Sequence, residues 1–83
     1  MSDSLRVLLA DDHPVFRDGL SSLLRSLDDV ELVAEASTGA EAVALSEQHQ
    51  PDVIVMDLHM PDLNGIDATR EVVRAQRASA YWF

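Results

Sequence analysis

Two runs of consecutive apolar residues stand out from the mixed remainder of the chain. Val7-Leu8-Leu9-Ala10 runs directly into Asp11 and Asp12, and Val53-Ile54-Val55-Met56 runs directly into Asp57. Runs of this length are too short for a helix, and an unbroken one reads as a strand covered on both faces, as inside a parallel sheet. Both strands end on carboxylates. In open parallel α/β sheets, ligands bind beyond the carboxyl ends of the strands, so Asp57, Asp11 and Asp12 are the first residues to test for chemistry.

Between these runs the period changes. Pro14 suits the first turn of a helix, where its missing N–H costs nothing. Phe16, Leu20, Leu23, Leu24 and Leu27 then recur at i, i+4, i+7, i+8 and i+11, with Arg17, Asp18, Ser21, Ser22 and Arg25 between them. That pattern predicts an amphipathic first helix whose apolar stripe is core. After the Asp28-Asp29 turn, Val30, Leu32, Ala34 and Ala36 alternate with Glu31, Val33 and Glu35. Alternation of period two predicts a half-exposed strand at the sheet edge, guarded by its charges. Thr38-Gly39-Ala40-Glu41 has the spacing of a capping box, and predicts a second helix to about Gln48, before Pro51.

Beyond Asp57, Met60-Pro61-Asp62 predicts a turn and Asn64 a helix cap. Ile66, Thr69, Val72, Val73 and Gln76 form the inner stripe of a third helix, and the pattern fails from Ala78. Tyr81-Trp82-Phe83 reads as an aromatic tail that packs on something. The element order is β-α-β-α-β-α. It implies a parallel sheet with right-handed crossovers and helices on both faces.

Composition narrows the function classes. The 83 residues allow one small domain, which by surface-to-volume scaling buries about two thirds of its unfolded surface and gains from a partner. A net charge of −9 argues against gripping a phosphate backbone and suits a site that holds a cation. The chain has no cysteine. Disulfides, thiolate nucleophiles and cysteine-type zinc sites are excluded, and the absence fits a reducing cytoplasm. No signal peptide pattern and no apolar run of membrane-spanning length are present. His13, His49 and His59 share no i, i+4 spacing and read as ordinary polar residues.

If the first and third strands are neighbours, about 4.8 Å apart, Asp11, Asp12 and Asp57 converge at one sheet edge. A single Asp at a strand end is usually a turn former or a helix cap. Two buried strands both ending in Asp are harder to dismiss. Carboxylates held so close repel, so some protonate or a cation neutralises them. An all-oxygen donor set suits octahedral Mg2+, and the backbone carbonyl of His59, two residues past Asp57, is a natural further ligand.

Leu8-Leu9-Ala10-Asp11-Asp12-His13-Pro14, with Phe16-Arg17-Asp18-Gly19-Leu20 behind it, resembles the start of a bacterial response-regulator receiver domain. So does the stretch from Asp52 through Asp57-Leu58-His59-Met60-Pro61 to Gly65. Asp12-His13-Pro14 and Phe16-Arg17 resemble the subfamily with a LuxR-type helix-turn-helix output domain, and the likeness runs to about Arg77. The resemblance implies a flavodoxin-like, CheY-like fold of strand order 2-1-3-4-5. It implies that Asp57 is the phosphoacceptor for a sensor histidine kinase. Asp11, Asp12, Asp57 and the His59 carbonyl would hold Mg2+. Rather than an enzyme with a separate substrate, the protein would be a phosphorelay component in phosphorylation-dependent transcription regulation.

The resemblance also has an edge. Residues 1–83 match only the N-terminal β-α-β-α-β-α portion of a receiver, and residues 78–83 match nothing in it. The fourth strand with its Ser or Thr, the fifth with its Lys, and the output domain are not found. On that reading the third strand becomes an open edge that invites pairing with another chain, and a homodimer is expected there. The rival function is a phosphotransfer-deficient fragment acting as a dimerisation or interaction module. Neither reading involves direct nucleic-acid contact by this segment or a membrane.

Overall fold

The structure, a computed structural model, describes residues 4–57, Met60 and the backbone of 79–82. Its elements are β1 (Leu5–Ala10), α1 (Pro14–Arg25), β2 (Val30–Ala36), α2 (Gly39–His49), β3 (Val53–Met56) and β4 (Ser79–Trp82). They form one parallel sheet of order β2-β1-β3-β4, which is the flavodoxin-like arrangement that the resemblance implies. The third helix expected after Asn64 lies outside the described residues.

The core follows from the two apolar runs. Leu8, Ala10, Ile54 and Met56 lie buried with Ala36, Ala42 and Met60, and Ala34, Val43 and Leu45 pack against them. Alternate residues of a strand face opposite sides of the sheet, so Leu8 and Ala10 look toward α2. Glu35, the register partner of Leu9, contacts α1 through Ser21 and Arg25. The helices therefore cover opposite faces, as right-handed crossovers in opposite directions along the sheet require.

Strand β2 lies at the edge, as its alternation predicts. The register shifts between Val7 and Leu8 and skips Val33. A bulge on an edge strand twists it away from further pairing. Glu35 does not guard that edge from solvent: it is half-buried beneath α1.

Two expectations need correction. The third strand is not an open edge. β4 pairs along it in parallel, from Val53↔Ser79 to Met56↔Trp82. The segment read as an aromatic tail is this strand, since Tyr and Trp favour extended, paired backbone. Self-association through a bare third-strand edge loses its basis.

The second correction concerns α1, whose apolar stripe is not all core. Phe16 is 52% exposed, Leu23 57% and Leu27 46%, while Ser21 is buried. The line that meets the sheet runs through Arg17, Leu20, Ser21 and Leu24. The apolar arc is wider than the contact, and the helix is turned so that its polar residues reach Glu35.

Helix α2 begins as its sequence predicts. The Thr38 hydroxyl oxygen accepts a bond from the Glu41 N–H at 3.0 Å. The Glu41 carboxylate accepts from the N–H and the hydroxyl of Ser37, both at 2.8 Å, one residue earlier than in the standard box. The helix ends on Gln50 in the left-handed region (φ 49°), followed by Pro51. Arg6 secures this corner, donating from Nη1 to the Gln50 carbonyl and from its N–H to Asp52.

The Ser37 bonds hold the Glu41 carboxyl below its ordinary value, with smaller help from the Thr38 backbone and the charge of Arg17. A depressed folded-state pKa contributes stability that is full above the ordinary glutamate value and is lost as pH falls through the folded one. Thermal melts of Glu41→Gln should therefore lose less stability than the native chain between about pH 5 and pH 3. Thr38→Ala should cost about 1 kcal/mol at any pH in this range.

Candidate functional site

Strand pairing brings the acidic residues together. The β1–β3 register ends at Ala10↔Met56. One further ladder bond on each side carries it on: the Asp57 N–H donates to the Ala10 carbonyl at 2.9 Å and the Asp11 N–H to the Ala36 carbonyl at 3.0 Å. Asp11 and Asp57 are thus held by backbone at the same end of adjacent strands. Asp12 follows in the β1–α1 turn, before Pro14 opens the helix.

Asp11 is fully buried and Asp57 is 4% exposed. Ligand atoms of Asp11, Asp12, His13 and Asp57 all lie within 4.8 Å of one another. Buried carboxylates are costly unless paired with donors or a cation. Some of that need is met inside the chain. Asp11 Oδ1 accepts from the His13 N–H at 2.9 Å, and the His13 ring reaches across the cluster. Its Nδ1 lies 3.0 Å from Asp11 Oδ1, 3.0 Å from Asp12 Oδ1 and 3.4 Å from Asp57 Oδ2. The bond to Asp11 raises the His13 pKa above its ordinary value, and the charges of Asp12, Asp11 and Asp57 add to it.

The need is not fully met. Asp11 Oδ2 and Asp12 Oδ1 are buried oxygens with no hydrogen-bond partner. The Asp12 oxygen has its short contact to the His13 ring, but without hydrogen-bond geometry. Buried acceptors of this kind call for a water or an ion as partner. With two of them beside Asp57, the donor set is carboxylate oxygen, the type a hard divalent cation prefers.

The expected site residues Asp11, Asp12 and Asp57 are therefore brought together, while His59 lies outside the described residues. His13, read from the sequence as an ordinary polar residue, belongs to the cluster. The signal for it was its place directly after the two aspartates. Ser79 is opposite Val53 in the β3–β4 register, four strand residues or about 13 Å from the level of Asp57.

Comparisons with known proteins bear on the family of the chain. The chain is 44% identical over 80 residues to a nitrate/nitrite response regulator protein homolog of Haemophilus influenzae, covering 96% of this chain and 38% of that protein. It is 47% identical over 70 residues to the transcriptional regulatory protein LiaR of Bacillus subtilis, covering 84% of this chain and 33% of LiaR. It thus spans about a third of the length of these relatives.

Among solved structures, a LuxR-family two-component response regulator from Aurantimonas superposes with a TM-score of 0.89 at 37% identity, covering 96% of this chain and 58% of that one. The receiver domain of a NarL-type regulator from Mycobacterium tuberculosis gives 0.84 at 35%, covering 96% and 64%. Residues 7–82 match the response regulator receiver domain, and the chain belongs to that family, with relatives of the LuxR and NarL type.

Proposed function

We propose that this receiver accepts a phosphoryl group on Asp57 from a sensor histidine kinase, with Mg2+ held by Asp11, Asp12 and Asp57. The His59 carbonyl is proposed as a further ligand. The observation that carries the reading is the set of carboxylates from adjacent strand ends, gathered within 4.8 Å and retaining buried, unpartnered oxygens. Mg2+ offsets the charge of the phosphoryl group in such transfers.

The chain's own part is to place the nucleophile. A carboxylate oxygen of Asp57 forms the new O–P bond as the P–N bond to the kinase imidazole breaks, the electron pair leaving with the nitrogen. The backbone bond to Ala10 fixes where Asp57 emerges from the sheet. The wider role, by likeness to transcriptional regulators such as LiaR, is phosphorylation-dependent control of transcription in the cytoplasm.

Incubation with Mg2+ and acetyl phosphate tests the reading, since acetate can then leave in place of imidazole. Intact-mass measurement should show the gain of one phosphoryl group, and Asp57→Ala should abolish it. The register gives a second reading some ground, because Ser79 pairs with Val53, at the far end of β4 from the level of Asp57. If the chain binds Mg2+ but gains no mass, it acts as an interaction module.

Metal binding has its own readout. A ligand that binds only the folded state stabilises it by about 2.7 kcal/mol at a hundred times its Kd. Saturating Mg2+ should raise the melting temperature of the native chain. Asp11→Ala should remove that rise, and a native melting curve indifferent to Mg2+ would rule out the metal site.

A further inference from the structure

We infer that Arg17, anchored by Glu35, is a positioning residue that holds the Asp11-Asp12 turn in its cation-binding shape. The inference rests on the metal reading above, but it concerns residues that touch no ligand. Arg17 Nη1 donates to the backbone carbonyl of Asp11 at 3.1 Å. Its own N–H donates to the His13 carbonyl at 2.8 Å. That second bond is the ordinary first-turn helix bond, so the side chain itself grips the turn through the Asp11 carbonyl.

The grip is backed from β2. Arg17 Nε lies 3.5 Å from Glu35 Oε1. It is buried and makes no hydrogen bond, so that contact is a charge pairing. Glu35 is itself held, because Oε2 accepts from the Ser21 hydroxyl and from Arg25 Nη2, both at 3.2 Å. Ser21 is 3% exposed. An ion pair free in solvent contributes little, but this one is half-buried between helix and sheet and joins α1 and β2 to one turn.

The arrangement accounts for a feature that burial alone does not. Helix α1 leaves Phe16 and Leu23 exposed while turning Arg17 and Ser21 toward the sheet. Apolar burial would favour the opposite rotation. The polar face is what connects the helix to the carboxylate turn. Partners that orient metal ligands from behind commonly govern affinity.

The sign of one substitution separates positioning from charge. Arg17 is a cation near a proposed cation site. If it acted only through its charge, Arg17→Met would tighten Mg2+ binding. Positioning predicts the reverse, a Kd raised about tenfold. Arg17→Lys keeps the charge without the two-sided guanidinium and should not restore affinity. Glu35→Gln removes the anchor, leaves the helix stem packed and should weaken binding in the same direction. Calorimetric Mg2+ titration of the full chain reads these values, with melts confirming that each variant is folded.

Amide exchange in metal-free protein gives a readout independent of the metal. The His13 N–H is bonded to Asp11, so its exchange reports order in the turn. It should exchange about tenfold faster in Arg17→Met, with Leu8 unchanged, as expected for local opening that spares the sheet. Unchanged His13 exchange, or tighter Mg2+ binding in Arg17→Met, overturns the inference. If the native chain binds no Mg2+, the metal reading fails by itself, and the exchange measurement alone decides the role of Arg17.

Discussion

Asp57→Asn is expected to yield a folded chain that takes up no phosphoryl group from acetyl phosphate. The amide occupies the same volume as the carboxylate and keeps the backbone bond from the Asp57 N–H to Ala10. It lacks the anionic oxygen that attacks phosphorus, so the loss of mass gain should be complete. Metal-free stability should move the other way. Asp57 is 4% exposed and shares a cluster with Asp11 and Asp12, where each like charge disfavours the others. Removing one relieves that repulsion, and the melting temperature without Mg2+ should equal or exceed the native value. With Mg2+ the order should invert, because the variant has one anionic ligand fewer. Function and stability then part at a single residue, as expected where an acidic site is kept for its chemistry. A variant that still gains mass would place the acceptor elsewhere.

Leu8→Ala should cost about 2–5 kcal/mol, the range for truncating a fully buried leucine. Leu8 is 0% exposed and sits in β1, paired on both sides by β2 and β3. Its neighbours Ile54, Met56 and Ala42 belong to sheet and helix backbones that cannot easily close a void. For a chain of this length total stability is roughly 4–12 kcal/mol, so the loss is a large share of it. Leu23→Ala is the control. Leu23 is 57% exposed on α1, and substitutions at such surface positions stay within about 0.5 kcal/mol. Urea unfolding of both variants checks the contrast. Equal losses would mean that α1 buries its apolar arc after all.

These expectations draw on parts of the molecule that were unequally legible. The apolar runs ending in Asp11 and Asp57 revealed both central strands and the site, because a strand covered on both faces must be apolar throughout. Pro14 and the Thr38–Glu41 spacing revealed two helix starts, since caps depend on residues adjacent in sequence. The rotation of α1 was not legible. Its apolar arc is broad enough to permit several orientations, and the choice was made by Glu35 on another element. The role of His13 was also hidden, because a histidine's meaning depends on the groups its ring meets.

Local pattern determined the kind and order of the elements, the sheet's parallel character and the carboxylates at its edge. It did so because period, capping and turn chemistry act over a few residues. Tertiary structure decided which elements meet. It paired Ser79–Trp82 with β3 where the sequence pattern had run out, turned Arg17 and Ser21 toward Glu35, and set the His13 ring among the aspartates. Those contacts join residues on different elements, and their energies exist only once the chain has folded. The aspartates could be read from the sequence, but the surroundings that hold them in place could not.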